Sequence, residues 1–248
     1  TDEDQQACDA QGLMMRQAVQ FHWRNTEPRY ADFDAFLTTL TQDKRKKIRQ
    51  ERRKVAEAGG RFCTIVGEDM TTQDWDFFYR CYVQTYLEHR NAPYLTRDFF
   101  TRMAQDMPQH WVLFVAERHA QPIACSLVAV SERNAQGVAY GRYWGALERV
   151  DCLHFEACYY QPLQWCIAQG LQRFEGGAQG EHKLARALLP VRGRSAHWLA
   201  HPDFAQAVER FVAREEQAIE GYLDELDSRS PLKAGDTPGA HTPAQARR

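Results

Sequence analysis

The chain has 248 residues, 44% of them hydrophobic and 26% charged, with a net charge of −2, which suffices for a sizeable core. That balance gives the molecule no overall electrostatic pull towards nucleic acid or membrane, and no apolar run approaches the roughly 20 residues that span a bilayer. Its seven cysteines, at 8, 63, 81, 125, 152, 158 and 166, form no CxxC pair; this argues against a zinc or other metal site and for reduced thiols in a cytoplasmic compartment.

The chain opens on an acidic helix-like segment from Asp2 to Gln11, stopped by Gly12, and 13–23 reads as a strand. A strand and a helix cannot bury a core alone, so residues 1–60 are expected to be the C-terminal remnant of a preceding half together with a basic helix; the alternative is a simple N-terminal arm packed on the main domain. Phe33, Phe36, Leu37 and Leu40 recur at helical spacing. Residues 43–54 hold eight cations against two anions, and Gly59-Gly60 closes that helix as a C-cap would. The charge run has two readings: a solvated helix face, or a surface for tRNA phosphates, anionic lipid or an acidic partner.

From 61 the pattern is regular. Strand 61–66 leads to a helix capped by Thr71 or Thr72, with Trp75, Phe78, Tyr79, Tyr82 and Tyr86 on one face. Thr96 caps another helix carrying Phe99, Phe100 and Met103. Strands 111–117, 122–130 and 138–144 are separated by turn residues and should form an antiparallel meander. A helix from about His154 to Gln169 follows, then strand 171–175, a glycine-rich loop, a strand at 196–200 and an amphipathic helix from Pro202 to about Leu226. Residues 61–227 are read as one domain, and the Pro/Gly/Ala/Ser/Arg-rich stretch 228–248 as a disordered tail.

The order β-α-α-β-β-β-α-β is similar to the N-acetyltransferase (GNAT) fold, an α+β architecture with a mixed central sheet flanked by helices. In that fold the strand ending at Trp144 and strand 171–175 run parallel and splay apart to admit an acyl donor. The segments 20–23, 44–53, 140–145, 154–160 and 177–183 together resemble, over roughly 12–215, the bacterial family of predicted N-acyltransferases. These are described as GNAT-like peptidoglycan biosynthesis/recognition proteins related to the Fem transferases. The resemblance implies an N-acyltransferase moving an acyl or aminoacyl group to an amine acceptor such as a cell-wall precursor. The donor would be acetyl-CoA or another acyl-CoA, or an aminoacyl-tRNA. Members also carry an N-terminal GNAT-like half, of which this chain would hold the last part. A non-catalytic recognition module for a cell-wall precursor, a protein or nucleic acid is the alternative. The GNAT phosphate signature is missing from 146–153, before the third helix of that fold; Arg173-x-x-Gly176-x-Ala178 matches it one strand too late.

Residues 173–186 hold three glycines within five positions (Gly176, Gly177, Gly180) followed by Glu181, His182 and Lys183. Such a loop lets the backbone approach a ligand closely. His182 is the foremost acid–base candidate, with Glu181 and Glu156 as further catalytic candidates; Glu156 also suits a helix N-terminus with no function at all. Arg142 and Trp144 alternate along one strand. Arg142 is expected to pair with Glu156, Glu175, Glu181 or an anionic ligand. Tyr160, Gln179, Lys183, Arg186 and His197 complete the expected substrate-binding set, His197 being equally a core or edge histidine. Arg142, Glu156, Gln179, Glu181, His182 and Lys183 are expected to converge on one cleft.

Overall fold

The computed structural model describes residues 2–178 and 180–233. In chain order these form α1 (Asp2–Ala10), β1 (Met14–Arg24), α2 (Phe33–Thr38), α3 (Gln42–Glu57), β2 (Arg61–Val66), α4 (Thr72–Glu88) and α5 (Arg97–Asp106). Then come β3 (Trp111–Arg118), β4 (Gln121–Val130), β5 (Val138–Ala146), α6 (Leu153–Phe155), a π turn (Glu156–Tyr160), α7 (Gln161–Ala168) and β6 (Arg173–Glu175). A 3₁₀ turn (Glu181–Arg186), β7 (Leu189–His197) and α8 (Pro202–Ser228) close the series. None of these helices is long and apolar enough to cross a membrane. The chain divides into a larger compact unit, Trp23–Glu175 with 232–233, and a smaller one, residues 2–22 with Gly176–Pro231.

The larger unit is α+β. Strands β3, β4 and β5 form the expected antiparallel meander, β2 adds antiparallel to β3, and β6 adds to β5 in parallel. Strand β3 is buried on both faces, because alternate side chains serve two layers. Leu113 and Val115 join Trp75, Phe78, Tyr82 and Phe100 of α4 and α5. On the other face Ala116 packs with Ile123, Ala124, Leu153 and Val55 of α3, and the Phe114 ring lies 6.3 Å from that of Trp165 in α7. Capping sets the helix starts. Thr71 and Asp74 make a reciprocal capping box on α4, and Thr96 accepts from the Phe99 amide on α5. Glycine sets one close approach: a Cβ on Gly145 would overlap the Cys81 carbonyl, so its absence lets α4 lie directly on β5. There Thr85 Oγ1 donates to the Trp144 carbonyl at 2.7 Å.

The helix expected at 154–169 is interrupted. At Glu156–Tyr160 the backbone widens into a π turn, which inserts a residue and redirects a carbonyl. The Ala157 carbonyl is taken up by the hydroxyl of Ser126 on β4. Periodicity could not show this, since the apolar stripe continues on both sides of the turn.

In the smaller unit β1 pairs antiparallel with β7 from Met14↔His197 to His22↔Leu189. The last strand therefore occupies 189–197, not the expected 196–200; its alternation of arginine, glycine and serine carries little apolar signal. Helix α8 is tied to the pair by ion pairs from Arg16 to Glu215 and from Arg192 to Glu220. From 234 on, the expected tail lies outside the described residues. Just before it, in the larger unit, Leu232 bridges Leu40.

Candidate functional site

The first functional feature is an opening in the sheet of the larger unit. Strand β5 pairs with β6 only at Val138↔Arg173, Ala139↔Phe174 and Tyr140↔Glu175. Beyond Tyr140 that edge of β5 has no strand partner among the described residues. On its other edge the register with β4 jumps from Val128↔Gly141 to Leu127↔Tyr143, so Arg142 is the extra residue of a β-bulge. Strand β6 ends at Glu175, opposite Tyr140, and a bulge bends its strand and increases the local twist, so this stretch of β5 offers backbone groups to a ligand.

Arg142 is exposed at this bulge and takes none of the three carboxylates expected for it: Glu156 binds Arg52, Glu175 binds Arg173 at 2.8 Å, and Glu181 binds Arg229 at 2.9 Å. The expectation fails because each carboxylate has another guanidinium beside it: for Glu156 and Glu181 sequence distance concealed the partner, while for Glu175 it stands two residues back on the same strand. Trp144, two residues on, packs edge-on against the His154 ring at 5.3 Å between centroids. His154 in turn lies edge-on to Tyr159 at 5.7 Å. An indole, an imidazole and a phenol thus line up where β5 hands over to the interrupted helix. Tyr143, on the opposite face, joins the α4–α5 aromatic cluster.

The second feature is a cleft of about 420 Å³ between α3 and the π turn, walled by Arg49, Arg52, Arg53, Phe62, Glu156 and Gln161. Glu156 is only 3% exposed. Arg52 Nε donates to both of its oxygens, at 3.1 and 3.2 Å, and Gln161 Nε2 donates at 2.7 Å. Arg52 Nη2 adds a bond to Gln164 at 2.9 Å, and the guanidinium lies 4.8 Å from the Phe33 ring. One turn away the buried Glu51 accepts the hydroxyl of Tyr160. The basic helix is therefore no plain solvated face, since it sends Arg52 and Glu51 inward to hold the π turn. Its charge count gave no sign of this. The signal available was Glu51 standing in the same i, i+3, i+7 frame as Ile48 and Val55.

In the smaller unit the glycine loop is clamped by the strand motif Phe21-His22. Gly176 N–H donates to the Phe21 carbonyl at 2.8 Å and Phe21 N–H to the Gly177 carbonyl at 3.1 Å. A Cβ at Gly176 would run into Leu188, and Gly177 adopts φ +80°. The 3₁₀ turn that follows buries Lys183 and Arg186 and leaves Glu181 and His182 exposed. Arg186 Nη1 donates to the His182 carbonyl at 2.7 Å. The His182 imidazole is held below the usual histidine value, first by the protein packed around it and then by the positive charges of Arg186 and Lys183. Glu181 instead forms an ion pair with Arg229 and raises the Tyr222 phenol, whose main perturbation is burial. His197 ends β7 on the surface, 2.8 Å from Ser195 Oγ. Gln179 lies outside the described residues.

Of the expected site residues, the larger unit thus brings Glu156 and Tyr160 onto one π turn and places Arg142 and Trp144 at the β5 bulge. The smaller unit brings Glu181, His182, Lys183 and Arg186 onto one turn and sets His197 apart on a strand end.

The family model of FemAB-like proteins, described as peptidoglycan biosynthesis/recognition, matches residues 1–234. The chain shares its fold with L-PGS from Bacillus licheniformis, at TM-score 0.58 and 13% identity over 85% of this chain and 70% of that one. It also matches FemX at TM-score 0.52 and 10% identity, over 77% of this chain and 64% of that one. The C-terminal domain of a putative lysylphosphatidylglycerol synthetase from Agrobacterium fabrum gives TM-score 0.48 and 13% identity, over 70% of this chain. Of that last protein's length the chain spans half. No curated protein sequence matches the chain.

Proposed function

The chain belongs to the FemAB-like family of peptidoglycan biosynthesis/recognition proteins, and from that premise we propose that it is an N-acyltransferase moving an acyl or aminoacyl group onto the amine of a cell-wall precursor. The observation that supports this most is the opening of β5, where pairing with β6 stops at Tyr140 and the Arg142 bulge bends the strand. A thioester or ester carbonyl lying along that edge would accept a hydrogen bond from a backbone N–H, which stabilises the oxyanion as the amine attacks. The donor is an acyl-CoA or an aminoacyl-tRNA. As the amine adds, the C–S or C–O bond to the carrier breaks and the carrier leaves as the CoA thiol or the tRNA ribose hydroxyl, taking up a proton; the amine, which gains a positive charge, must release one, and a neutral imidazole suits that step. Within the smaller unit taken by itself, the candidates for such a step are His182, whose imidazole is held below the usual histidine value by the protein packed around it, and Glu181. Lys183 and Arg186 are the buried cationic groups of that turn; in the larger unit, Arg142 is exposed at the bulge and suits an anionic part of a substrate. All seven cysteines are free, which fits work in the cytoplasm.

Glu156 drops out as a proton acceptor, because Arg52 and Gln161 already occupy its oxygens. That saturation is the observation favouring the second reading, a recognition module that binds a precursor without turnover.

The deciding experiment incubates the purified chain with acyl-CoAs or charged tRNA and amine-bearing cell-wall precursors, and reads products by mass spectrometry. A product whose mass rises by the acyl or aminoacyl group establishes transfer. Saturable precursor binding with no mass change across both donor classes establishes the recognition module instead.

A further inference from the structure

We propose that the cleft between α3 and the π turn is a binding site for a phosphate-bearing ligand of roughly nucleotide size, held by Arg49, Arg52 and Arg53. This goes beyond the transfer reaction and stands without it.

Arg52 carries the argument. A guanidinium has five N–H donors in a rigid fork. In Arg52 the Nε–H and the Nη2 pair are engaged by Glu156 and Gln164. The two N–H groups of Nη1 have no partner among the described residues, and the side chain keeps 26% of its exposure. A donor pair locked from behind and open in front loses little rotamer freedom on binding an anion. The charge balance agrees. Glu156, the only carboxylate lining the cleft among the described residues, is neutralised by Arg52 and occupied by Gln161. Arg53 has no hydrogen-bond or ion-pair partner among the described residues, and Arg49 meets only the exposed Asp34, at 3.3 Å. Two guanidiniums therefore stand beside a third whose position is fixed, a geometry that matches phosphate oxygens.

The cavity also has an apolar side, formed by Phe62 and Val55, and it is kept open by the small Ala56 and Gly60. A Cβ on Gly60 would press on Val55, its nearest atom 2.8 Å away. At about 420 Å³ the space falls within the usual size of small-ligand sites, about 300–1,000 Å³. A phosphate on a flat or aliphatic body satisfies both sides at once. That chemistry belongs both to a free nucleotide and to a phospholipid headgroup, and the test separates the two.

Isothermal titration at low salt would use inorganic pyrophosphate and ADP as probes, with co-sedimentation on phosphatidylglycerol vesicles as the second arm. The variants are Arg53→Glu and Arg49→Glu/Arg53→Glu, which alter exposed side chains. The control is Lys47→Glu, which carries the same charge change. At about 100° per residue, Lys47 projects from the far side of α3. Saturable binding of ADP or pyrophosphate, weakened roughly tenfold or more by the Arg variants and less than about twofold by the control, identifies a site for a free phosphorylated ligand. Vesicle binding with the same ranking and no soluble binding identifies a headgroup. The proposal is overturned if none of the three probes binds, or if Lys47→Glu is as damaging as Arg53→Glu.

Discussion

Arg52 and Glu156 lie 104 positions apart in sequence, yet Arg52 Nε sits within 3.2 Å of both Glu156 oxygens. The pair joins the basic helix to the π turn at the start of the interrupted helix. Removing one member of a buried pair leaves an uncompensated charge, at a cost of about 3–5 kcal/mol. Glu156→Ala should therefore lower unfolding free energy by about that amount in a urea titration. Arg52→Met/Glu156→Leu should recover most of it, since an apolar pair of similar volume carries no desolvation cost. If Glu156→Ala proves neutral, the pair does not hold the turn.

Gly145 tests how closely α4 rests on β5. Its missing Cβ makes room for the Cys81 carbonyl, and backbone cannot yield as a side-chain tip does. Gly145→Ala should cost about 1–3 kcal/mol through overpacking, read as a lower urea midpoint with little change in slope. Gly221→Ala, in α8 with nothing within 4 Å of the new methyl, is the matched control and should gain stability.

His182 links stability to pH. Its folded-state pKa lies below the usual 6.5, so the unfolded chain binds the extra proton first. Stability from this group is then complete above about pH 7 and falls as pH drops through 6.5 towards the lower folded value. His182→Asn should flatten that part of the pH–stability curve, while an unchanged slope would show that the imbalance lies elsewhere.

The same residue predicts a rate. If His182 takes the acceptor's proton, His182→Ala should cut turnover about 10²–10⁴-fold with an unchanged circular dichroism spectrum. The acidic limb of kcat/KM should lie below pH 6.5. Full activity in the variant would pass the role to Glu181 or to solvent.

Thiol reactivity checks the core. Cys81, Cys125 and Cys166 have no exposure, and burial pushes the Cys125 and Cys166 thiols well above the usual range. Iodoacetamide on the native protein should label Cys8 first and leave these three unmodified until denaturant is added, which peptide mass mapping would read directly.

The amino-acid sequence by itself determined the three-strand meander and the capped helices with their aromatic face, whereas the parallel return of β6 was legible only through the resemblance to a known fold. Period-2 and period-3.6 apolar patterns and Thr caps are local signals, and they survive folding unchanged. The glycine loop was legible for the same reason: Gly176, Gly177 and Gly180 mark backbone that a side chain would obstruct. Tertiary structure alone decided which charges meet. Arg142, Glu156, Glu175 and Glu181 could each be named from the chain, but ion pairing depends on distances of a few ångströms, whether the partners are 104 positions apart, as Arg52 and Glu156 are, or two apart, as Arg173 and Glu175 are. The π turn and the Arg142 bulge were hidden too, because a single inserted residue leaves the apolar pattern on either side intact. The β7 strand was hidden because hydrogen bonds to β1, rather than apolar side chains, hold it in place.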